Sequence, residues 1–422
     1  MRSKALISVL LGSALVLAAC GGDDGEAEAD GKTELIWWHN ATQDPLKSYF
    51  EDVAAAYTAE HPDVTFKIEP VQNESITTKI QVGLQSNDPP DIFQQWGGGE
   101  LATQVQSGKV QDISDSTADT VEGLGGTAAG WQVDGKQYGL PYSVGVVGFW
   151  YRKDLFEQAG ITGPPATLDE LNEDVQKLKD AGITPIALGG KDKWPDAFYW
   201  GYIATRLCST EALQEASASA SLDGDDCFVQ AGEVLEDFID TEPFQEGFLG
   251  TPAQQGAASS AGMVANGKAA MELQGHWNGG VIGGLTPDQK QLGDDVLGWF
   301  PFPPIDGGDG TPDATFGGGD GFSCSSEAPP ACADFLNFLL SPEQQSKFGE
   351  LNVGLPVAPG TGDSVSDPTV AGVLEARDAS SYTQLYFDKA LPTAPGLALN
   401  DAIANFFAGQ GSPDEIVASV NQ

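Results

Sequence analysis

From Thr33 onward the apolar positions follow two alternating rhythms. Short runs rich in β-branched and aromatic residues, TELIWW at 33–38, VTFKIEPV at 64–71 and PDIF at 90–93, read as strands. Between them lie longer stretches with apolar residues at helical spacing, DPLKSYFEDVAAAYTAEHP at 44–62 and ITTKIQVGLQS at 76–86. Pro45 behind Asp44 suits a helix start, where its missing N–H is not needed, and His61-Pro62 stops the same helix. The alternation continues with a helix at 168–182, a strand at 183–190 and helices at 196–208 and 228–240. Strands follow at 269–273 and 296–304, then one long helix over 331–351, ACADFLNFLLSPEQQSKFGEL. This order is that of an α/β protein. No internal repeat and no long linker divides 33–422, so the domains are expected to interleave, and the Gly-rich stretches 251–262 and 307–321 read as loops.

Sheets with parallel strands gather ligand groups at the carboxyl ends of those strands. Four such ends carry indoles, out of nine Trp in the chain: Trp37-Trp38-His39-Asn40, Trp96 after PDIF, Lys193-Trp194-Pro195, and Gly275-His276-Trp277-Asn278. A packed core Trp is the competing reading at any one of them. Their recurrence beside Gly, Asn, Pro and His, away from aliphatic residues, points to exposed ring faces. An indole face matches the C–H face of a pyranose, whose hydroxyls then demand amides and carboxylates at the rim. His39, Asn40, Gln95, Glu100, Asn278 and Asp320 stand close enough in sequence to supply them. Gly97, Gly98 and Gly99 would keep the wall low beside Trp96. Glu100 has two readings, a hydroxyl contact or a favourable charge at the positive end of the helix ELATQVQSG.

Charge and motifs narrow the chemistry. With 20 Lys plus Arg against 61 Asp plus Glu, the formal charge of -41 repels a phosphate backbone, which excludes nucleic acid as a partner. Gly262 to Lys268 fits GxxxxGK, but Ala269 stands where a phosphate loop needs Ser or Thr, and no strand precedes it. There is no GxSxG elbow, and Ser143 has no evident His partner in sequence. The three histidines, His39, His61 and His276, are too scattered for a zinc motif, so neither metal nor cofactor is expected. Acidic pairs arise by chance in so acidic a chain, and glycoside hydrolysis stays open on that ground alone.

The first residues carry an export signal. Arg2 and Lys4 precede the apolar run ALISVLLGSALVLAAC, which is too short for a spanning helix. Its end, Leu17-Ala18-Ala19-Cys20, resembles the lipobox of bacterial lipoproteins, which implies lipidation of Cys20 after removal of 1–19. The polar acidic segment 20–32 then reads as a flexible tether. Four further cysteines, Cys208, Cys227, Cys324 and Cys332, suit two disulfides in an exported chain. Three pairings are possible, and the sequence-local one needs only small loops.

The segments PDIFQQWGGG, YGLPYSVGVVGFWYRKDLFEQAGI, GKAAMELQGHW and ADFLNFLLSPEQQ resemble the bacterial extracellular solute-binding proteins of family 1. That resemblance implies two α/β lobes joined by a hinge, with a sugar bound in the cleft and presented to the permease subunits of an ABC importer. It implies a first lobe of 33–140 with a return at 316–355, a second lobe of 141–315, and C-terminal helices within 356–422 that pack across both. Carried onto this chain, it places Trp38, His39, Asn40, Trp96, Tyr142, Trp194, Trp277 and Asp320 at the ligand. The stretch LGGKDKWPDAFYW is most similar to proteins that take up short plant-derived oligosaccharides such as xylobiose. Gly145 departs from the maltose binders, which carry an acidic sugar contact there, and this speaks against maltose. The chain is thus expected to be a monomeric, lipid-anchored, non-catalytic sugar receptor on the outer face of the bacterial cytoplasmic membrane. The same fold could instead hold a monosaccharide or polyol, and a secreted glycosidase is the alternative from another class. Replacing the lipidation site by Cys20→Ala is expected to release the protein from membranes into the medium, scored by fractionation; retention on the membrane would contradict the anchor.

Overall fold

The computed structural model describes residues 32–86 and 88–421. The export signal, Cys20 and all of the tether except Lys32 lie outside the described residues. Among the described residues twelve strands form, β1 Thr33–His39, β2 Val64–Pro70, β3 Ile92–Gln95, β4 Gln132–Val133, β5 Lys136–Gln137, β6 Leu140–Val146, β7 Gly148–Arg152, β8 Thr184–Ile186, β9 Ala269–Gln274, β10 Leu297–Pro301, β11 Thr315–Cys324 and β12 Thr383–Leu385. They build two principal sheets. The first runs β12-β11-β3-β1-β2 with β6 also on β11, and the second runs β10-β7-β9-β8. In the first, β1 lies parallel to both β2 and β3, as the helix-separated strands require.

In β1 the alternation of TELIWWH buries Leu35, Trp37 and His39 on one face and turns Trp38 to the other. Trp37 then sits at the centre of the first core, its ring 5.0 Å from Phe50 and 5.1 Å from Phe322 and Phe335. The second core collects Phe149, Tyr199, Trp200, Phe228 and Phe238 around the helices Trp194–Leu207 and Cys227–Asp240. Leu399, Ile403, Phe407 and Ile416 from the C-terminal helices join that second core. The short helix Phe387–Ala390, however, presses on the start of the helix Gly98–Gln106 in the first lobe.

The chain first passes from the first sheet to the second through a single residue, and returns through 302–314. Strand β6 ends at Val146 and β7 begins at Gly148, while Val147 N donates to Phe316 O of β11 at 2.8 Å. The Gly-rich 315–321 is therefore not a loop: it is part of β11, a ten-residue strand. Its glycines answer to crowding. A side chain at Gly317 would strike the carbonyl of Gly145, at Gly319 the backbone of Ser143 and the Trp131 ring, and at Gly321 the carbonyl of Leu140. The stretch 251–262 is loop only until Ser260, where the short helix Ser260–Ala265 begins. The long helix expected over 331–351 divides into Ala331–Leu339 and Pro342–Glu350, because Pro342 cannot donate to the preceding turn and Ser341 caps a new helix by accepting from Gln344 N.

Both disulfides take the sequence-local pairing, Cys208–Cys227 and Cys324–Cys332. The first ties the end of helix Trp194–Leu207 to the start of Cys227–Asp240 in the second core. No helix among the described residues is long and apolar enough to cross a membrane. Replacing Cys208 and Cys227 together by Ser is expected to lower stability by about 3 kcal/mol, the chain-entropy value for a loop of this size, read from urea denaturation; an unchanged midpoint would mean that helix packing alone holds this corner.

Candidate functional site

A cavity of about 450 Å3 lies between the two sheets. The first sheet contributes the loop 40–46 after β1, the helix from Asn73, Trp96 at the end of β3, and Asp320 from the middle of β11. The second contributes 191–194 after β8 and the turn His276-Trp277 after β9, and the C-terminal segment adds Tyr386, Asp388, Lys389 and Asn400.

Three devices fix the turn that carries Trp277. Trp150 Nε1 donates to Gly275 O at 3.0 Å, and Asn278 Nδ2 donates to Glu272 Oε2 at 3.0 Å. Glu272 also accepts from Ser260 Oγ at 2.5 Å, and burial pushes its carboxyl up to about 8 against these hydrogen bonds. The third is a bridge to the other sheet, with the His276 Nε2 2.9 Å from Ser143 Oγ, which accepts from Leu355 N at 3.1 Å. Burial, then the charge of Arg377, lowers His276 to about 3, so it is a neutral ring. Its Cβ, Cγ and Nδ1 occupy the space any side chain at Gly145 would need. Trp277 is half-buried, as is Trp194, and their rings stand 6.4 Å apart. Trp194 opens its helix, with Pro195 in the first turn and Phe198 packed 5.2 Å away, edge to face.

The floor is polar and charged. Asp320 Oδ1 accepts from Trp96 Nε1 and from Gln94 Nε2, each at 3.0 Å. Burial raises Asp320 to about 6, while Trp96, Gln94 and the charge of Lys389 act the other way. Lys389 Nζ lies 4.4 Å above the Trp96 ring, 2.6 Å from Glu100 and 3.9 Å from Asp388. Burial works against its charge, but the carboxylates of Glu100, Asp388 and Asp320 outweigh it and raise its pKa. Asp388 is itself raised, chiefly by burial. Tyr386 OH, Asn400 Oδ1 and Trp194 Nε1 are buried lining groups without a protein partner, in a class of atom that is nearly always satisfied. Such a surface offers acceptors and ring faces together, which suits a solute with many hydroxyls.

Of the residues singled out in the sequence, Asn40, Trp96, Tyr142, Trp194, Trp277 and Asp320 line the cavity. Trp38, His39, Gln95, Glu100 and Asn278 do not: Gln95 Oε1 accepts from Trp96 N and Gly97 N, and Asn278 is spent on Glu272. The pleat of β1 turns Trp38 to the outer face, where Lys79 Nζ sits 3.9 Å from its ring centre. His39 is held in the first core, its ring 4.9 Å from Phe50, and burial lowers it to about 3. Glu100 stands in the first turn of its helix, but its carboxylate is spent on Lys389 behind Trp96. The glycines after Trp96 also have another cause: Gly97 meets the Gly130 carbonyl, Gly98 that of Lys389 and Gly99 that of Ala390. Asp388, Lys389, Tyr386 and Asn400 were not singled out in the sequence. The only local trace was YFDKA, two adjacent charges inside an apolar run.

Comparison with known proteins agrees with this architecture. The family described as bacterial extracellular solute-binding protein matches residues 40–346. The melibiose/raffinose/stachyose-binding protein MelE of Bacillus subtilis is 24% identical over 347 residues, covering 80% of this chain and 76% of MelE. An uncharacterized ABC transporter extracellular-binding protein of Pyrococcus horikoshii is 25% identical over 431 residues, with 96% and 92% covered. Among solved structures, one from work on xylan utilization by Caldanaerobius polysaccharolyticus superposes with a TM-score of 0.84 at 25% identity, covering 92% of this chain and 99% of the other. A chitin oligosaccharide binding protein gives 0.81 at 25%, covering 92% and 97%. With two α/β lobes around an aromatic and acidic cavity, this chain belongs to the bacterial extracellular solute-binding protein family.

Proposed function

We propose that this protein is the substrate-binding subunit of a carbohydrate ABC importer. It captures a di- or short oligosaccharide between its lobes and hands it to a membrane permease, as a lipid-anchored monomer on the outer face of the cytoplasmic membrane. The lobes are 33–140 with 316–355, and 141–315, with 356–422 packed against both, except that β6, Leu140–Val146, lies on the first sheet and moves the first boundary to Val147. The reading rests above all on one juxtaposition: the half-buried indoles Trp194 and Trp277 stand in the same cavity as the half-buried acceptors Asp320 and Asp388. Ring faces settle on the indoles, and hydroxyls donate to the acceptors. A hydroxyl or carboxylate left unpaired there costs about 1–3 kcal/mol, which is how the site rejects a wrong sugar. The xylan-related neighbour favours a xylobiose-like ligand. Binding alone is the work, and no glycosidic bond is cleaved.

Titration of a mono-, di- and trisaccharide panel by calorimetry is expected to give saturable binding of a disaccharide or trisaccharide at micromolar level with no turnover of the sugar. Absence of binding across the panel would reject the sugar reading, and hydrolysis would favour the glycosidase. Trp277→Ala is expected to weaken that binding by about 1 kcal/mol or more, as loss of a stacking face does. Trp96→Ala weakens it similarly but also costs stability, since its Nε1 and ring hold Asp320 and Lys389.

Asp320 gives the pH dependence a definite sign. Its folded-state value of about 6 lies above the ordinary 3.8, so its contribution to stability is complete below 3.8 and is lost as pH rises through about 6. Hydroxyls that donate to the ionised carboxylate reverse that slope for affinity. Binding is therefore expected to tighten about threefold to tenfold from about pH 5 to about pH 7.5, and Asp320→Asn is expected to flatten the profile. A pH-independent affinity in the wild type would remove Asp320 from the ligand contacts.

A further inference from the structure

Two hydrogen bonds cross the mouth of the cavity from one lobe to the other. Gln43, in the loop after β1, donates through Nε2 to the Gln254 carbonyl at 3.2 Å. Gln255 donates through Nε2 to Glu74 Oε2 at 2.8 Å, at the start of the helix Asn73–Gly83. Gln43 and Glu74 belong to the first sheet's side, and Gln254 and Gln255 to a loop of the second.

That loop is not free to follow the first lobe. Ala253 N donates to Asp192 Oδ2 at 2.8 Å, Ala261 N donates to Ala253 O at 3.1 Å, and Lys191 N donates to Thr251 O at 3.2 Å. Gly189 lets Ala253 lie directly on the chain after β8. The tip carrying Gln254 and Gln255 is thus fixed to the rim of the second sheet, and separation of the lobes breaks both crossing bonds. One term opposes closure: Glu74 and Asp192 carry like charges, and after burial the nearness of Glu74 contributes to raising the Asp192 carboxyl.

We infer that Gln43, Glu74 and Gln255 form a latch across the mouth that sets ligand affinity by holding the lobes together, with Gln255 acting without touching the ligand. Gln255 does not line the cavity, whereas Gln43 and Glu74 do, so it separates the two roles. The inference rests on the reading that a sugar is enclosed between the lobes. Apparent affinity scales with the fraction of protein in the closed form, so loss of the latch weakens all ligands by a common factor and does so mainly through faster release.

Gln255→Ala is expected to weaken binding of di- and trisaccharide alike by about threefold to tenfold, the range for one ordinary solvent-exposed hydrogen bond. Small-angle scattering of the unliganded full chain is expected to show a larger radius of gyration for the same variant. The latch is overturned if Gln255→Ala changes neither affinity nor scattering. It is equally overturned if affinity falls with unchanged scattering, which would make Gln255 a ligand contact. Should no sugar bind at all, the carbohydrate reading fails and the scattering difference alone decides the latch.

Discussion

The approach of β6 to β11 is the constraint on which the site depends. Gly317, Gly319 and Gly321 lie against the backbone or side chains of 140–146 so closely that no Cβ fits. Glycine loses more conformational freedom on folding than any other residue, so a strand that carries four of them is costly unless the closeness itself is required. Here it is required twice. It lets β11 pair with β3, β6 and β12 together, and it brings the passage between the sheets, Val147 against Phe316, to the same place. Asp320 is the side chain left standing among those glycines, and it stands in the cavity.

From Asp320 a chain of buried polar contacts runs outward. Its carboxylate holds the Trp96 indole, Lys389 sits over the same ring, and Glu100 closes the charge balance from behind. A buried ion pair contributes little net stability in itself, but removing one partner strands the other, so such a group fixes geometry strictly. In this protein it fixes the angle of an indole and the position of the C-terminal segment relative to the first lobe. The second lobe does the equivalent with an uncharged set, in which Glu272, Asn278 and Trp150 hold the turn bearing Trp277.

The α/β order was legible in the sequence because periods of 2 and 3.6 are local properties. The indoles were legible for a related reason: a Trp at a strand end among Gly, Asn and Pro has few aliphatic neighbours to bury it. Trp38 and His39 are adjacent in sequence but the pleat sends them to opposite faces of β1, so the run WWHN does not act as one unit at the cavity. An inward Trp37 already implied an inward His39. The glycines of 317–321 look like a loop in sequence, since only the packing of another backbone reveals why side chains are missing. Lys389 and Glu100 are 289 residues apart, and no local pattern announces that pair. The part of the site drawn from 386–400 was invisible for the same reason.

Two half-buried indoles on one lobe, a half-buried carboxylate on the other and a mouth bridged by glutamines are what the proposed recognition of a small polyhydroxylated solute rests on, divided between both walls. The most direct test of that account is a crystal structure of the protein with the tightest-binding di- or trisaccharide. The account predicts sugar rings stacked on Trp194 and Trp277 with a hydroxyl donating to Asp320. A sugar bound elsewhere, or bound in the cavity with Asp320 and both indoles out of contact, would contradict it.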